Sequence, residues 1–581
     1  MQNNRPGRLA VAFALVALVV AFGLSVPLVL DGDLGEFNLS NVSVFAAPRG
    51  GHEIGSPVDL SPTLRLRLNS GTVALDARDG DAADTSGALP RDGTANLIIE
   101  DGVFQIAGGE RADPAPLSGP AAPFIEAVQT LNFGTLLIRR STVAVALPDG
   151  RVEQLTDVNG EVRPNRRNSI SIRGSGRLRG REITFDLSTA SIPQNEAGSR
   201  VPTKLRLESP LLNISFDGKV GASDTLHIQG RIELGMEDVR KTARWLGAAW
   251  PSGLGLKNAA VSGDLDWQKP GLAFDKATFR LDGNEATGTL TLSFAGERPA
   301  LTGTLDMQSL DLSPYIPDPI EGLTFSELLA RARADQSSLS MPLAHSLDAD
   351  VRLSAAQLLV GGMTFGRFAA SLSLKKGQLL ADIAEIGIDG TGRASGQLTA
   401  TLARDPLQIG MRARLEDIDA ARASMALIGQ SHVQGLSTIA MDFASEGNSP
   451  AELLDQIRGK IVLSLNEGGR LGIDLKALQD DAAKGGELEG WGRALSGQTS
   501  VDNLEARLRV GGGVIESELV EATVGSRLLK AIGTISLESQ NVNLRVILGA
   551  LPEAAEGAVS APADVLVFRG PWAAPSITIE R

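Results

Sequence analysis

From about residue 60 onward, apolar and polar residues alternate with a period of two. Thr63–Asn69 reads TLRLRLN, with Leu64, Leu66 and Leu68 on one side and Arg65 and Arg67 on the other. Ser141–Leu147, Ser169–Arg173, Lys204–Leu207, Gly288–Phe294, Ala369–Leu374, Leu398–Leu402 and Leu504–Val510 repeat the pattern. This alternation predicts half-buried antiparallel strands. The dipeptides Asp101-Gly102, Asp149-Gly150, Asn159-Gly160, Asp217-Gly218, Asp282-Gly283 and Asp389-Gly390 predict the turns between them.

Helical periodicity is sparse. Met236, Val239, Ala243, Leu246 and Trp250 are spaced for one helix over Met236–Trp250. Thr324-Phe325-Ser326-Glu327 and Ser449-Pro450-Ala451-Glu452 have the form of capping boxes, the second with proline at the first helical position. Asp474–Ala483 predicts another short helix. Such amphipathic stripes predict packing over sheet ends.

The N-terminus breaks the pattern. Leu9–Leu30 carries no charge, with Arg5 and Arg8 before it and Asp31, Asp33 and Glu36 after it. About 20 apolar residues in a helix cross a bilayer core of roughly 30 Å. The charge asymmetry places the N-terminus in the cytoplasm. A cleaved signal peptide is the alternative. Its apolar core is usually about 7–15 residues, however, and the nearest small-residue site here is at Ala46 and Ala47. The stretch therefore reads as a retained single-pass anchor.

An internal repeat follows. Leu281–Leu312 and Ile388–Ala420 each give an Asp-Gly turn, an alternating strand, a charged-proline turn (Arg298-Pro299, Asp405-Pro406) and a second strand. A weaker echo runs from Phe216 to Leu234. Repeated hairpins must bury their apolar sides against neighbours, which predicts an elongated sheet. Arg111–Pro123, with four prolines, and Glu553–Pro562 read as spacers.

Composition narrows the chemistry. The 581 residues carry a net charge of −14 with acids and bases interspersed, which argues against a nucleic-acid partner. Without cysteine there is no disulfide or thiol chemistry, and with one tyrosine and five tryptophans stacking platforms are few. His52, His227, His345 and His432 are isolated, and no two have metal-ligand spacing, so neither a metal site nor a cofactor is expected. His345 near Ser346 and Asp348 is not by itself a triad, which needs spatial geometry. Gly390-Thr391-Gly392 before Gly396 has the wrong spacing for a dinucleotide fingerprint. Asp76, Asp79, Asp81 and Asp84 lack the ordered spacing of a calcium loop. Arg163, Arg166 and Arg167 form a basic cluster that reads as an exposed turn or a contact for lipid phosphates. No catalytic residues emerge, and the chain is not expected to be an enzyme.

The C-terminal part resembles the AsmA-like proteins of the Gram-negative envelope. The resemblance rests on Gly468-Gly469-Arg470-Leu471-Gly472-Ile473-Asp474-Leu475, on Asn503–Val510, Gly513-Val514-Ile515 and Ile532–Leu537, and on the closing Phe568-Arg569-Gly570-Pro571-Trp572-Ala573-Ala574-Pro575, in that order. It covers roughly residues 200–581 and, loosely, the anchor; residues 37–200 depart from the family pattern. It implies an inner-membrane-anchored periplasmic protein supporting outer-membrane biogenesis, whose larger relatives pass phospholipid along a β-groove.

The expectation is a mainly β protein. An N-terminal transmembrane helix precedes an elongated, repeat-built antiparallel sheet folded into a groove, with a few short covering helices. Its parts are a cytoplasmic tail (1–8), an anchor (9–30), an N-terminal periplasmic β region (31–200), a repeated β-groove region (201–447) and an AsmA-like C-terminal β region with short helices (448–581). Leu290, Leu292, Phe294, Leu398 and Leu402 are the expected groove residues. The expected partners are the inner membrane, phospholipid and an outer-membrane or periplasmic protein. Two alternatives stand beside this reading. One is a self-packed, lipid-free structural or assembly factor for outer-membrane proteins; the other is an envelope hydrolase.

Overall fold

A computed structural model describes residues 52–54, 58–61, 66–77, 95–106, 135–146, 152–165, 169–190, 200–222, 226–246, 253–268, 270–316, 320–323, 325–339, 347–388, 392–402, 405–428, 433–465, 469–483, 488–489, 497–550, 564–572 and 574–580. The protein is mainly β, as the alternation predicts. The anchor Leu9–Leu30, both spacers, His345, His432, Asp149-Gly150 and Asp389-Gly390 lie outside these residues. Among the described helices none is long and apolar enough to cross a membrane. The described residues form two compact units.

The first unit runs to Gly283 and includes Ser293–Ala295. Its strands are β1 (His52–Ile54), β2 (Val58–Ser61), β3 (Leu66–Ala77), β4 (Ala95–Ile106), β5 (Thr135–Ala146), β6 (Val152–Asn165), β7 (Ser169–Leu178), β8 (Arg181–Ala190), β9 (Arg200–Glu208), β10 (Leu212–Ala222), β11 (Leu226–Met236), β12 (Ala259–Gln268) and β13 (Gly271–Leu281). β1 and β2 pair with β3, and from β3 onward each strand pairs with the next. All pairs are antiparallel except β4–β5.

Alternation sorts this sheet into a dry face and a charged face. Ile172, Leu187, Leu205, Phe216 and Ile232 are successive cross-strand partners, each exposed by 6% or less. On the other face Arg173 pairs with Asp186 at 2.7 Å and Lys204 with Asp217 at 2.7 Å. The one described helix of this unit, α1 (Val239–Trp245), is shorter than the predicted Met236–Trp250. Met236 instead ends β11, paired with Ala259, and the Asp238 carboxylate caps the helix by accepting the Lys241 N–H at 2.8 Å.

Three predicted turns lie within strands instead: Asp101-Gly102 in β4, Asn159-Gly160 in β6 and Asp217-Gly218 in β10. At the latter two the glycines serve close packing. Gly160 pairs with Gly174, and a Cβ on Gly174 would lie 2.8 Å from Gly160 Cα and 2.9 Å from the Phe185 ring. Gly218 pairs with Gly230, and a Cβ there would lie 2.6 Å from the Phe216 ring. Each glycine pair is thus roofed by an aromatic ring. Asp282-Gly283 does form the predicted turn.

The second unit holds Asn284–Leu292 and continues from Gly296. Its strands are β14 (Asn284–Ser293), β15 (Ala300–Asp311), β16 (Asp348–Val360), β17 (Met363–Phe365), β18 (Phe368–Lys375), β19 (Gln378–Ile388), β20 (Gly392–Thr401), β21 (Leu407–Asp419), β22 (Val433–Gln434), β23 (Leu436–Gly447), β24 (Arg458–Leu465), β25 (Gly469–Leu471), β26 (Leu488–Glu489), β27 (Thr499–Val501), β28 (Asn503–Gly511), β29 (Val514–Val524), β30 (Arg527–Ser536), β31 (Asn541–Ala550), β32 (Asp564–Pro571) and β33 (Ser576–Glu580). The helices are α2 (Phe325–Ala334), α3 (Ala420–Ile428), α4 (Pro450–Asp455) and α5 (Leu475–Ala483).

β16 pairs with β17 and β18, and antiparallel pairing then runs β18–β19–β20–β21–β23–β24–β28–β29–β30–β31–β32–β33. β22, β25 and β27 form a separate small sheet. β15 and β16 are parallel. The expected all-antiparallel sheet is therefore mixed, because a parallel pair needs a crossover and segment 312–347, with α2, supplies one. The repeat copies occupy β14–β15 and β20–β21. In the first, Asn284 Nδ2 donates to the Asp311 carbonyl at 2.9 Å and its Oδ1 accepts the Asp311 N–H at 2.5 Å.

Candidate apolar groove

Cross-strand partners share a face. In the second unit Leu305, Leu353, Ala370, Ile383, Gly396, Ala413, Met441, Ile461 and Leu508 succeed one another from β15 to β28 with no polar residue between them. A flanking row runs Ala381, Leu398, Met411, Phe443, Gly459 and Val510. The opposite face carries Asp382, Gln397, Arg412, Asp442, Lys460 and Arg509 in the same strands. Ion pairs knit that outer face, Arg412 to Asp442 at 3.3 Å and Arg509 to Glu518 at 2.5 Å. Glu416 is held below the usual glutamate range by hydrogen bonds from Arg414 and Arg393.

Burial separates this inner face from that of the first unit. Leu305, Leu353, Ile383, Met441, Ile461 and Leu508 are only half-buried, as are Leu398 and Met411. The corresponding residues of the first unit are sealed. The second unit is sealed at its C-terminal end, where Leu475 and Leu478 of α5 pack on Val501, Ala522, Leu529, Leu548, Leu566, Phe568 and Ile577.

Short helices reach across part of the inner face. Ser445, two residues from Phe443 on the inner side of β23, donates its hydroxyl to the Leu453 carbonyl at 2.5 Å. A Cβ on Gly447 would lie 2.7 Å from Glu452 Cβ and 2.9 Å from Leu453 N. α4 therefore sits directly on the inner face, capped by Ser449, which accepts the Glu452 N–H at 3.2 Å. α2 is tied to α4 by the Ala451 N–H donating to the Asp335 carbonyl at 3.1 Å, and by the Leu339 N–H donating to the Asn448 carbonyl at 2.9 Å. It also packs against α3. Because α3 follows β21 and α4 follows the antiparallel β23, the two leave opposite strand ends, and α2 bridges them.

The expected groove residues fare differently. Leu290 is half-buried on the inner face, with Cδ2 only 2.6 Å from where a Gly303 Cβ would lie. Leu292, two residues on, shares that side and is half-buried. Leu398 lies in the flanking row. Leu402 is half-buried just beyond β20, its N–H donating to the Gly377 carbonyl at 2.7 Å. Phe294 belongs to the first unit. It is 39% exposed, and its N–H donates to the Pro270 carbonyl at 2.7 Å. The sequence reading missed α3, whose signal was Asp419 ahead of an alanine-rich run. Asp419 Oδ1 accepts the Ala421 N–H at 2.9 Å.

Among the described residues no group of three or more His, Cys, Asp or Glu is placed to hold a metal ion. His227 lies 3.0 Å from Asp266, and Arg163 pairs with Glu161 at 2.5 Å. The chain matches no protein-family model, and no curated protein and no solved structure matches it.

Proposed function

We propose that this is an AsmA-like, inner-membrane-anchored periplasmic protein that supports envelope biogenesis by binding or passing phospholipid along the apolar face of its second unit, making and breaking no bond. The supporting observation is the row from Leu305 to Leu508, whose larger apolar residues remain only half-buried among the described residues. An apolar surface left accessible to solvent can serve as a binding surface. Each methylene taken from water onto it gains about 0.8 kcal/mol. An acyl chain of about 14 methylenes thus gains on the order of 11 kcal/mol gross before ordering costs. N-terminal charge asymmetry and the C-terminal motif order support the anchoring and the compartment.

A second reading, a lipid-free assembly factor, draws on the dry first unit and the sealed C-terminal core. The test is native mass spectrometry of the full chain purified from a bacterial envelope. Near-stoichiometric phospholipid, lost in folded Leu292→Glu and Leu398→Glu variants, supports the groove. Folded protein without lipid overturns it in favour of the assembly factor.

A further inference from the structure

The two repeat copies differ at their charged-proline turns. In the second copy the charge is engaged, with Asp405 Oδ1 accepting from Asn448 Nδ2 at 2.5 Å and Asn448 Oδ1 accepting the Leu407 N–H at 3.2 Å. In the first copy the charge is Arg298, and its Nη1 is shielded from solvent with no hydrogen-bond partner. Among the described residues it is the one buried side-chain nitrogen or oxygen in that state. A guanidinium donates five N–H groups and stays charged at any physiological pH. Leaving such a donor dry and unpaired is costly, more so than for a neutral group.

The turn has a defined place. It joins β14, with Leu290 and Leu292 on the apolar face, to β15, with Leu301 and Leu305 on it. Pro299 is fixed by its carbonyl, which accepts the Asp348 N–H at 2.9 Å, and the Asp348 carboxylate is itself engaged by the Lys376 N–H at 2.9 Å. A guanidinium nitrogen shielded from solvent thus lies where the apolar strands begin, and it makes no hydrogen bond to Asp348, which opens the neighbouring strand opposite Ala300. An anionic oxygen would satisfy that nitrogen, and an apolar body attached to it would meet Leu290 and Leu292.

We propose that Arg298 holds the phosphate or carboxylate head of an amphiphile whose chain lies on the inner face beside Leu290 and Leu292. This rests on the groove reading and adds a head-group preference. Guanidinium suits both oxyanions, since each offers two oxygens to the planar fork.

The test compares the full chain with Arg298→Gln and Arg298→Lys variants, offered vesicles doped with phosphatidylglycerol, oleate or uncharged diacylglycerol, with bound lipid counted by mass spectrometry. The expected result is about a tenfold preference of the wild type for the acidic amphiphiles, equivalent to about 1.4 kcal/mol. That preference should fall away in Arg298→Gln and partly survive in Arg298→Lys, with diacylglycerol uptake unchanged in both. The phosphatidylglycerol and oleate arms separate a phosphate head from a carboxylate one. Equal preference in wild type and Arg298→Gln overturns the head-group role while leaving the groove intact. No uptake of any lipid overturns both. Inorganic phosphate bound by wild type but not Arg298→Gln, with the lipids ignored, overturns the amphiphile and reduces the site to a free-anion one.

Discussion

The Trp245 indole N–H donates to the Leu178 carbonyl across 2.9 Å, wholly within the protein. Around it, Arg179 donates to the Trp245 carbonyl at 3.1 Å and Thr242 to the Leu211 carbonyl at 3.1 Å. A seven-residue helix too short to persist alone is thus pinned to the sheet of the first unit by side-chain donors. Trp245→Phe keeps a ring but leaves the Leu178 carbonyl short of that donor. It should lower stability by about 1–3 kcal/mol, read as a shift in the denaturant midpoint with an unchanged slope.

Much of this architecture was legible in the residues. Alternation located strands such as β7, β9 and β28, because a two-residue period survives any choice of partner. The capping boxes located α2 and α4 because they are local devices. What sequence could not supply was long-range. Asp217-Gly218 has the chemistry of a turn, yet Gly218 serves a close pairing with Gly230 that no local pattern records. The row from Leu305 to Leu508 looks like any core alternation; only its partial burial distinguishes it from the sealed row of the first unit. Arg298 and Asp405 look like equivalent turn charges until Asn448 is brought to one of them.

Gly447 should tolerate no side chain. A Cβ would stand 2.7 Å from Glu452 Cβ, so Gly447→Val must push α4 off β23. We expect a loss of about 1–3 kcal/mol and faster proteolysis within 325–339, the segment tied to α4. Unchanged proteolysis would show that α4 is not held by this contact.

Leu398→Glu puts a charge between Ala381 and Met411 on the inner face. Because this face is half-buried, the variant should keep wild-type circular dichroism and lose most bound lipid. A Gln397→Glu change in the same strand, on the charged face, should leave lipid content unaltered. Equal effects from the two would remove the distinction between the faces.

Acid should loosen both units. Asp238 is held below the usual aspartate range chiefly by the Lys241 backbone N–H, and Glu416 below the glutamate range by Arg414 and then Arg393. A carboxyl depressed in the folded state stabilises fully above its unfolded value, about 4, and loses that contribution as pH falls through the folded value. Thermal midpoints should be flat from pH 7 to about 5 and fall below about 4. Asp238→Asn combined with Glu416→Gln should shallow that fall; an acid limb identical to wild type would assign the fall to other groups.

The parallel seam between β15 and β16 has a consequence for assembly. Most strands here zip onto the one just made, but β15 must wait until segment 312–347 has closed back on itself. Closing a loop of that length costs about 3 kcal/mol of chain entropy before any ladder bond returns it. During that wait β15 displays an open row of N–H and C=O groups, the kind of edge onto which a foreign strand adds. A growing chain is open to mispairing with its neighbours at this seam, as it is at β4 and β24, whose partners also come only after a long intervening segment.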